Sequence, residues 1–317
     1  PLGAGMANAV GMAMAEAHLA AVFNKENYPI VDHYTFVIGG DGCMMEGISS
    51  EAFSLAGTLG LDKLIVMYDS NQISIEGDTD LAFTENVQKR FEAYGFQTIV
   101  VEDGNDLNAI GKAIELAKAD KDRPSLITVK TEIGYGSAKA GLASAHGEPL
   151  GEENVVSLRK SLEWPSMEPF YVPEEVYEHY KSIVRQNDLK EKEWNLLFEE
   201  YCGKFPEMKQ LWDKYHDGDI AKDLINDEEF WSYPDKANAT RNLSGMVINR
   251  LKDIVPSMIG GSADLSPSTK TYMEDEGAFN KDNYKGRNLH FGVRELAMAG
   301  IGNGLALHGG LKPYVST

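Results

Sequence analysis

Thr35-Phe36-Val37-Ile38-Gly39-Gly40-Asp41-Gly42 is the stretch that decides the fold. Thr35 to Ile38 form a short apolar strand, and the glycines end it with an acid at the tip. A helix over about Ser50 to Leu59 follows, then a second strand, Leu64-Ile65-Val66-Met67-Tyr68, which ends near Asp69 to Asn71. Upstream, residues 3 to 23 are small and apolar on nearly every face, which predicts a buried helix. Downstream, residues 85 to 94 read as helix, Thr98 to Val101 as strand, 106 to 119 as helix and Ser125 to Val129 as strand. Strands that are apolar throughout and alternate with helices predict an α/β fold, a parallel sheet with helices on both faces.

In a right-handed strand–helix–strand unit the two strands run parallel. Asp41 and Asn71 then fall at one carboxyl edge of the sheet, where open α/β folds bind ligands. A carboxylate and an amide oxygen side by side suit a hard divalent cation, and magnesium completes its shell with substrate phosphates and water. Gly39, Gly40 and Gly42 carry no side chains, so backbone amides can approach a diphosphate. The inference is a magnesium-bound diphosphate cofactor. Taken alone, Gly-Asp-Gly is more often an ordinary turn; the strand placement and the Asn at this spacing raise the ligand reading.

The chain has 317 residues and a net charge of −19, from 49 acidic and 30 basic side chains. That balance argues against nucleic acid or an anionic membrane as a main partner, while leaving room for a small phosphorylated substrate held by a few local cations. Cys43 and Cys202 are the only cysteines, so no disulfide framework is expected and a reducing cytoplasm is the default compartment. The most apolar stretch, Met6 to Phe23, carries Asn8, Glu16 and His18, which argues against a membrane span. Residues 151–235 hold 21 acidic and 10 basic side chains and all four tryptophans (Trp164, Trp194, Trp212, Trp231). They predict an acidic helical connector with aromatic anchors, with helices over Glu174 to Gln186 and Glu191 to Tyr201. From about Ala239 the alternation resumes: helix Arg241 to Asp253, strand Ser257 to Ile259 ending at Gly260-Gly261-Ser262, strand Leu289 to Phe291, helix Arg294 to Leu307, and a last strand from Tyr314. The expected division is a diphosphate-binding domain over 1–150, a linker over 151–236, and the first part of a second α/β domain over 237–317. The chain opens at Pro1 inside a glycine turn and stops where a strand is beginning, so a segment of a longer protein is expected.

Asp41-Gly42-Cys43-Met44-Met45-Glu46-Gly47 through Asp69-Ser70-Asn71-Gln72-Ile73 resembles the thiamine-diphosphate signature. Nearly the whole chain resembles the transketolase family, through residues 1–13, Glu46 to Ala52, Ile133 to Ser137, His146 to Leu150, Ala239 to Arg241, Gly260 to Leu265 and Gly292 to Glu295, in family order. The resemblance implies thiamine diphosphate as cofactor and transfer of a two-carbon ketol unit between phosphorylated sugars in the pentose phosphate pathway, by a homodimer. It implies metal ligation (Mg, or Ca) by Asp41, Asn71 and the carbonyl of Ile73. Gly42 would lie against the diphosphate, with Ile75 and Ile133 on the cofactor ring. His146 would contact the diphosphate or the reacting sugar, and Arg241 and Ser262 would hold the sugar phosphate. Glu295 would bond the pyrimidine from the second subunit, with Glu46 near it at the dimer interface. That role calls for a desolvated Glu295 with a raised pKa. Leu296 stands where many relatives carry His. His18, His33, His179, His216, His290 and His308 show no metal spacing and read as structural or surface residues. The rivals are dihydroxyacetone synthase, deoxyxylulose-phosphate synthase, or a non-catalytic phosphate-binding module. Alone, a chain of this extent is expected not to complete turnover.

Overall fold

The computed structural model describes residues 1–216, 224 and 226–317. The first unit opens with α1 (Ala4–Phe23), β1 (Thr35–Gly40), α2 (Asp41–Met45), α3 (Gly47–Leu59) and β2 (Leu64–Ser70). A small antiparallel pair, β3 (Ile73–Ser74) and β4 (Gly77–Asp78), precedes α4 (Val87–Tyr94), β5 (Gln97–Val101), α5 (Leu107–Ala119) and β6 (Ser125–Lys130). The four long strands are all parallel, in the order β1-β2-β6-β5. Alternation of side chains across the pleat sends Leu64, Val66, Tyr68 and Leu126 to one face, into the main core with α1 and α3. It sends Ile65 and Ile127 to the other, against Ala113 and Ala117 of α5. Helices thus lie on both faces. On the α5 face, however, Phe36 and Ile38 of β1 stay 44% and 73% exposed, because α5 covers only the strands beyond β1.

The connector contains α6 (Ser144–Gly147), α7 (Glu152–Ser161), α8 (Glu174–Lys204) and α9 (Pro206–His216). Where two helices were expected, α8 runs unbroken for 31 residues. Asn187 and Asp188 cost a helix only a few tenths of a kcal/mol each, roughly, and packing overrides that. Two of the four tryptophans are anchors. Trp194 Nε1 donates to the carbonyl of Ile30 at 3.0 Å, and Trp212 meets Phe23 edge-on at 5.0 Å. Trp164 is 41% exposed, and Trp231, 48% exposed, donates its Nε1–H only to the nearby Leu224 carbonyl.

The second unit comprises α10 (Thr240–Ile254), β7 (Met258–Ser262), α11 (Ser266–Thr269), β8 (Asn288–His290), α12 (Glu295–His308) and β9 (Lys312–Ser316). Its three strands are parallel in the order β8-β7-β9. β9 is an edge strand of this sheet, which is why Pro313, without an N–H, is tolerated in it.

The two units share one core through α1 and α12. Both helices are apolar and small on nearly all sides, and they pack backbone to backbone. A Cβ on Gly11 would lie 2.2 Å from the carbonyl oxygen of Ile301, and one on Gly304 would lie 2.0 Å from that of Asn8. By length and composition α1 would pass for a membrane span, yet two-thirds of it is buried in protein, against α3, β1 and α12.

Candidate functional site

The edge predicted to bind a ligand exists. Gly40 pairs with Asp69 across β1 and β2, so Asp41 and Asn71 leave the sheet side by side. Asp41 is 4% exposed. Its Oδ1 accepts from the Tyr68 hydroxyl at 2.5 Å and its Oδ2 from the backbone N–H of Gln72 at 3.0 Å. Burial, and then the hydrogen bond to Asp41, push the Tyr68 phenol well above its ordinary range, so the phenol keeps its proton and is the donor. The Asn71 side chain folds back to accept from the N–H of Ile73 at 3.0 Å, at the start of the short β3–β4 pair. A cavity of about 280 Å³ opens beside Asp41, lined also by Ser70, Gln72, Asp80, Thr128 and Lys130. Among the described residues no group of three or more His, Cys, Asp or Glu could hold a metal. The expected ligands, the Asp41 carboxylate, the Asn71 amide and the Ile73 carbonyl, are a hard, low-charge oxygen set. Such a set fits a magnesium- or calcium-type ion that takes its other ligands from phosphate and water.

A second group gathers at the matching edge of the other sheet. Ser262, at the end of β7, His290, at the end of β8, and Gly292 just beyond it line a cavity of about 810 Å³ together with Asp264, Asn249 and Lys270. Ser262 is 3% exposed, and its hydroxyl caps the turn, accepting from the N–H of Leu265 at 3.0 Å and pairing with Ser266 Oγ at 2.9 Å. Arg241 is exposed in the first turn of α10, one residue before Asn242, which lines the same cavity.

Other expected residues stand apart. His146 is exposed on α6, and Ile133 is half-buried in the loop after β6. Ile75, which on its own reads as core, is 75% exposed. Glu46 is exposed between α2 and α3, and Gly42 is half-buried in α2. Glu295 is exposed as the first residue of α12, so the expected desolvation is not found within this chain. The helix start is held by other groups. The N–H of Ala297 donates to Glu51 at 3.0 Å and the Arg294 guanidinium to Ser54 Oγ at 3.1 Å, which leaves Glu295 pointing off the seam with α3. Leu296 beside it is 61% exposed. Cys43 is half-buried next to the Asp41 loop, and its carbonyl accepts from Ser49.

Tyr68 and Glu51 were missed by sequence reasoning. Tyr68 could have been found: it is the first polar-tipped side chain after the apolar run Leu64 to Met67, paired in register with Gly39 next to the acidic tip. Nothing local marks Glu51, whose partner lies far along the chain.

A parallel sheet that ends in a buried Asp and an Asn beside a glycine turn defines an α/β fold with a ligand-binding carboxyl edge. Residues 1–221 match the family model described as "Transketolase, thiamine diphosphate binding domain" and residues 236–317 match "Transketolase, pyrimidine binding domain", so the chain belongs to the transketolase family. It is 50% identical over 319 residues to a transketolase of Halalkalibacterium halodurans, covering 100% of this chain and 47% of that protein. A transketolase of Nostoc sp. is also 50% identical, with 48% of its length covered. Among solved structures, transketolase of Pichia stipitis in complex with sedoheptulose 7-phosphate superposes with a TM-score of 0.93 at 40% identity, covering 100% of this chain and 48% of that one. The chain therefore spans about half the length of the curated relatives it matches.

Proposed function

We propose that the protein containing this chain is a transketolase, which moves a two-carbon ketol unit from a ketose phosphate to an aldose phosphate with thiamine diphosphate as cofactor. The observation that carries this is the buried Asp41, oriented by Tyr68 and Gln72 beside Asn71, inside a stretch that matches a thiamine-diphosphate-binding domain. The Pichia stipitis relatives solved with xylulose 5-phosphate and sedoheptulose 7-phosphate support phosphorylated sugars as substrates. The related synthases and the non-catalytic module find no such support.

Asp41, Asn71 and the Ile73 carbonyl would hold magnesium or calcium, and Gly42 would let the backbone lie against the diphosphate. When bound, the cofactor supplies a carbanion that adds to sugar carbonyls. The residues of this chain bind and orient. Ile75 and Ile133 offer apolar cover to the ring. His146 would contact the diphosphate or the reacting sugar, and Arg241 with Ser262 would hold a sugar phosphate. Glu295 is exposed in this chain, and we assign it to a homodimer interface, where Glu295 of one protomer would face the cofactor edge of the other, near Glu46. Packing there would supply the desolvation that its role requires. The division near residues 150 and 236 and a cytoplasmic setting complete the reading.

The test is calorimetric titration of the full-length protein with thiamine diphosphate and magnesium, paired with a two-sugar transfer assay. Asp41→Asn is expected to weaken metal-dependent cofactor binding at least tenfold, and Glu295→Ala to retain binding but lose most transfer. Cofactor affinity untouched in Asp41→Asn would refute the metal assignment.

A further inference from the structure

We propose that His33 and His308 form a surface binding site for a transition-metal ion of the nickel, copper or zinc type, bridging the two sheet units. His33 lies two residues before β1, and His308 is the last residue of α12. Their Nε2 atoms are 2.9 Å apart, and the rings lie 22° from coplanar with centroids at 5.0 Å. His308 Nδ1 sits 3.0 Å from the carbonyl of Gly309. A carbonyl only accepts, so Nδ1 carries the proton and Nε2 of His308 presents a lone pair. In the metal-free pair His33 Nε2–H must then be the donor. His33 is exposed and no protein group holds its Nδ1 among the described residues, so the proton can move there and stay hydrated. Turning the two rings about their side-chain torsions then brings both lone pairs to one point.

The spacing fits an ion. Imidazole nitrogens bound at about 2.0–2.1 Å and at right angles about a metal stand roughly 2.9 Å apart. The rings face each other nearly head-on, so both side chains turn to admit one. The carbonyl behind His308 is the outer hydrogen bond that orients metal-bound histidines. The charged groups acting on His33 besides His308 are Lys63 and Asp32. Lys63 Nζ is engaged by Asp32 at 2.8 Å and by Glu16 at 2.5 Å. Burial, then His308, then Lys63 hold the His33 imidazole below its ordinary range, so it is neutral near pH 7 and available as a ligand. Two protein nitrogens completed by water select a borderline ion, whereas the oxygen set at Asp41 selects a hard one. A metal here fastens the loop before β1 to the end of α12.

The experiment is titration of the tag-free chain with nickel chloride and with zinc chloride at pH 7.5 in excess magnesium, followed by calorimetry and thermal unfolding. One equivalent is expected to bind and to raise Tm. His33→Gln and His308→Gln should each weaken binding at least tenfold and abolish the Tm rise, while His216→Gln, on α9, changes neither. In the unsubstituted chain, the spectrum of bound copper(II) should show two equivalent nitrogen ligands. Binding that survives both substitutions, no binding at millimolar metal, or a copper spectrum with a single nitrogen overturns the proposal.

Discussion

Tyr68→Phe is the most searching test of the metal edge. The substitution removes one oxygen and leaves the ring, which is 5% exposed, in place. It deletes the 2.5 Å hydrogen bond to Asp41 Oδ1 and leaves only the Gln72 N–H on the other oxygen. A hydrogen bond to a charged group contributes about 1.5–3 kcal/mol, so the metal-free fold should lose about that much. A carboxylate held at one oxygen can rotate, and loss of an orienting partner behind a metal ligand weakens the metal about 10–100-fold. At 1.4 kcal/mol per decade this is about 1.4–2.8 kcal/mol. The two estimates agree because both measure one orienting bond. The assay is magnesium titration of the full-length protein at fixed thiamine diphosphate, with cofactor binding read by calorimetry. Saturating magnesium should restore cofactor binding and most of the transfer activity, since no ligand atom is lost. Half-saturation unchanged within a factor of two would refute the idea that Tyr68 positions Asp41. Activity lost and not restored by magnesium would instead give Tyr68 a direct role.

Other consequences can be measured on stability. His18 is 1% exposed and its imidazole is pulled down to about 4, by burial first, against the raising effect of the Tyr284 carbonyl. The unfolded chain takes up the proton first, so this stabilisation is complete above about pH 6.5 and fades as pH falls toward 4. Urea melts should show about 3 kcal/mol of such loss, and His18→Gln should flatten that part of the profile. Gly11→Ala gains about 1 kcal/mol of helix propensity, but its Cβ would meet backbone at 2.2 Å and no rotamer change relieves that. A net loss of about 1–3 kcal/mol is expected, whereas Gly5→Ala, with open space around it, should be neutral or stabilising. Arg287 is buried, paired with Glu276 at 2.6 Å, and donates to the carbonyls of Lys252, Val255, Pro256 and Met258. Arg287→Met should cost about 3–5 kcal/mol by chemical denaturation.

The strands and helices around Asp41 were legible because their signals are local: apolar runs for buried parallel strands, glycines at their ends, and an Asn one strand on. The same locality explains the misses. Whether α8 breaks at Asn187 depends on what the helix packs against, and Trp194 and Tyr201 on that helix hold it along Ile30 and Phe23. The exposure of Ile38 and Ile75 reads as core from composition, since an apolar letter does not say whether a neighbour covers it. Glu295 shows the limit most clearly. Its position at a helix start could be read, but its surroundings depend on groups distant in the chain, and within this chain the nearby polar partners are taken by Ala297 and Arg294. Tyr68 lay within reach, had its hydroxyl been asked for a partner.

The backbone-close seam of α1 and α12 also has a bearing on biosynthesis. α1 is made long before α12 and is apolar on nearly every face, yet the surface that covers it is not complete until His308 has been made. At roughly 5–20 residues per second, the stretch from Phe23 to His308 takes on the order of 15–60 s to synthesise. For that interval a 20-residue helix as greasy as a membrane span waits without its partner. The nascent chain is therefore a natural client for holding chaperones, and slowing translation between these helices should increase aggregation more than slowing it after α12.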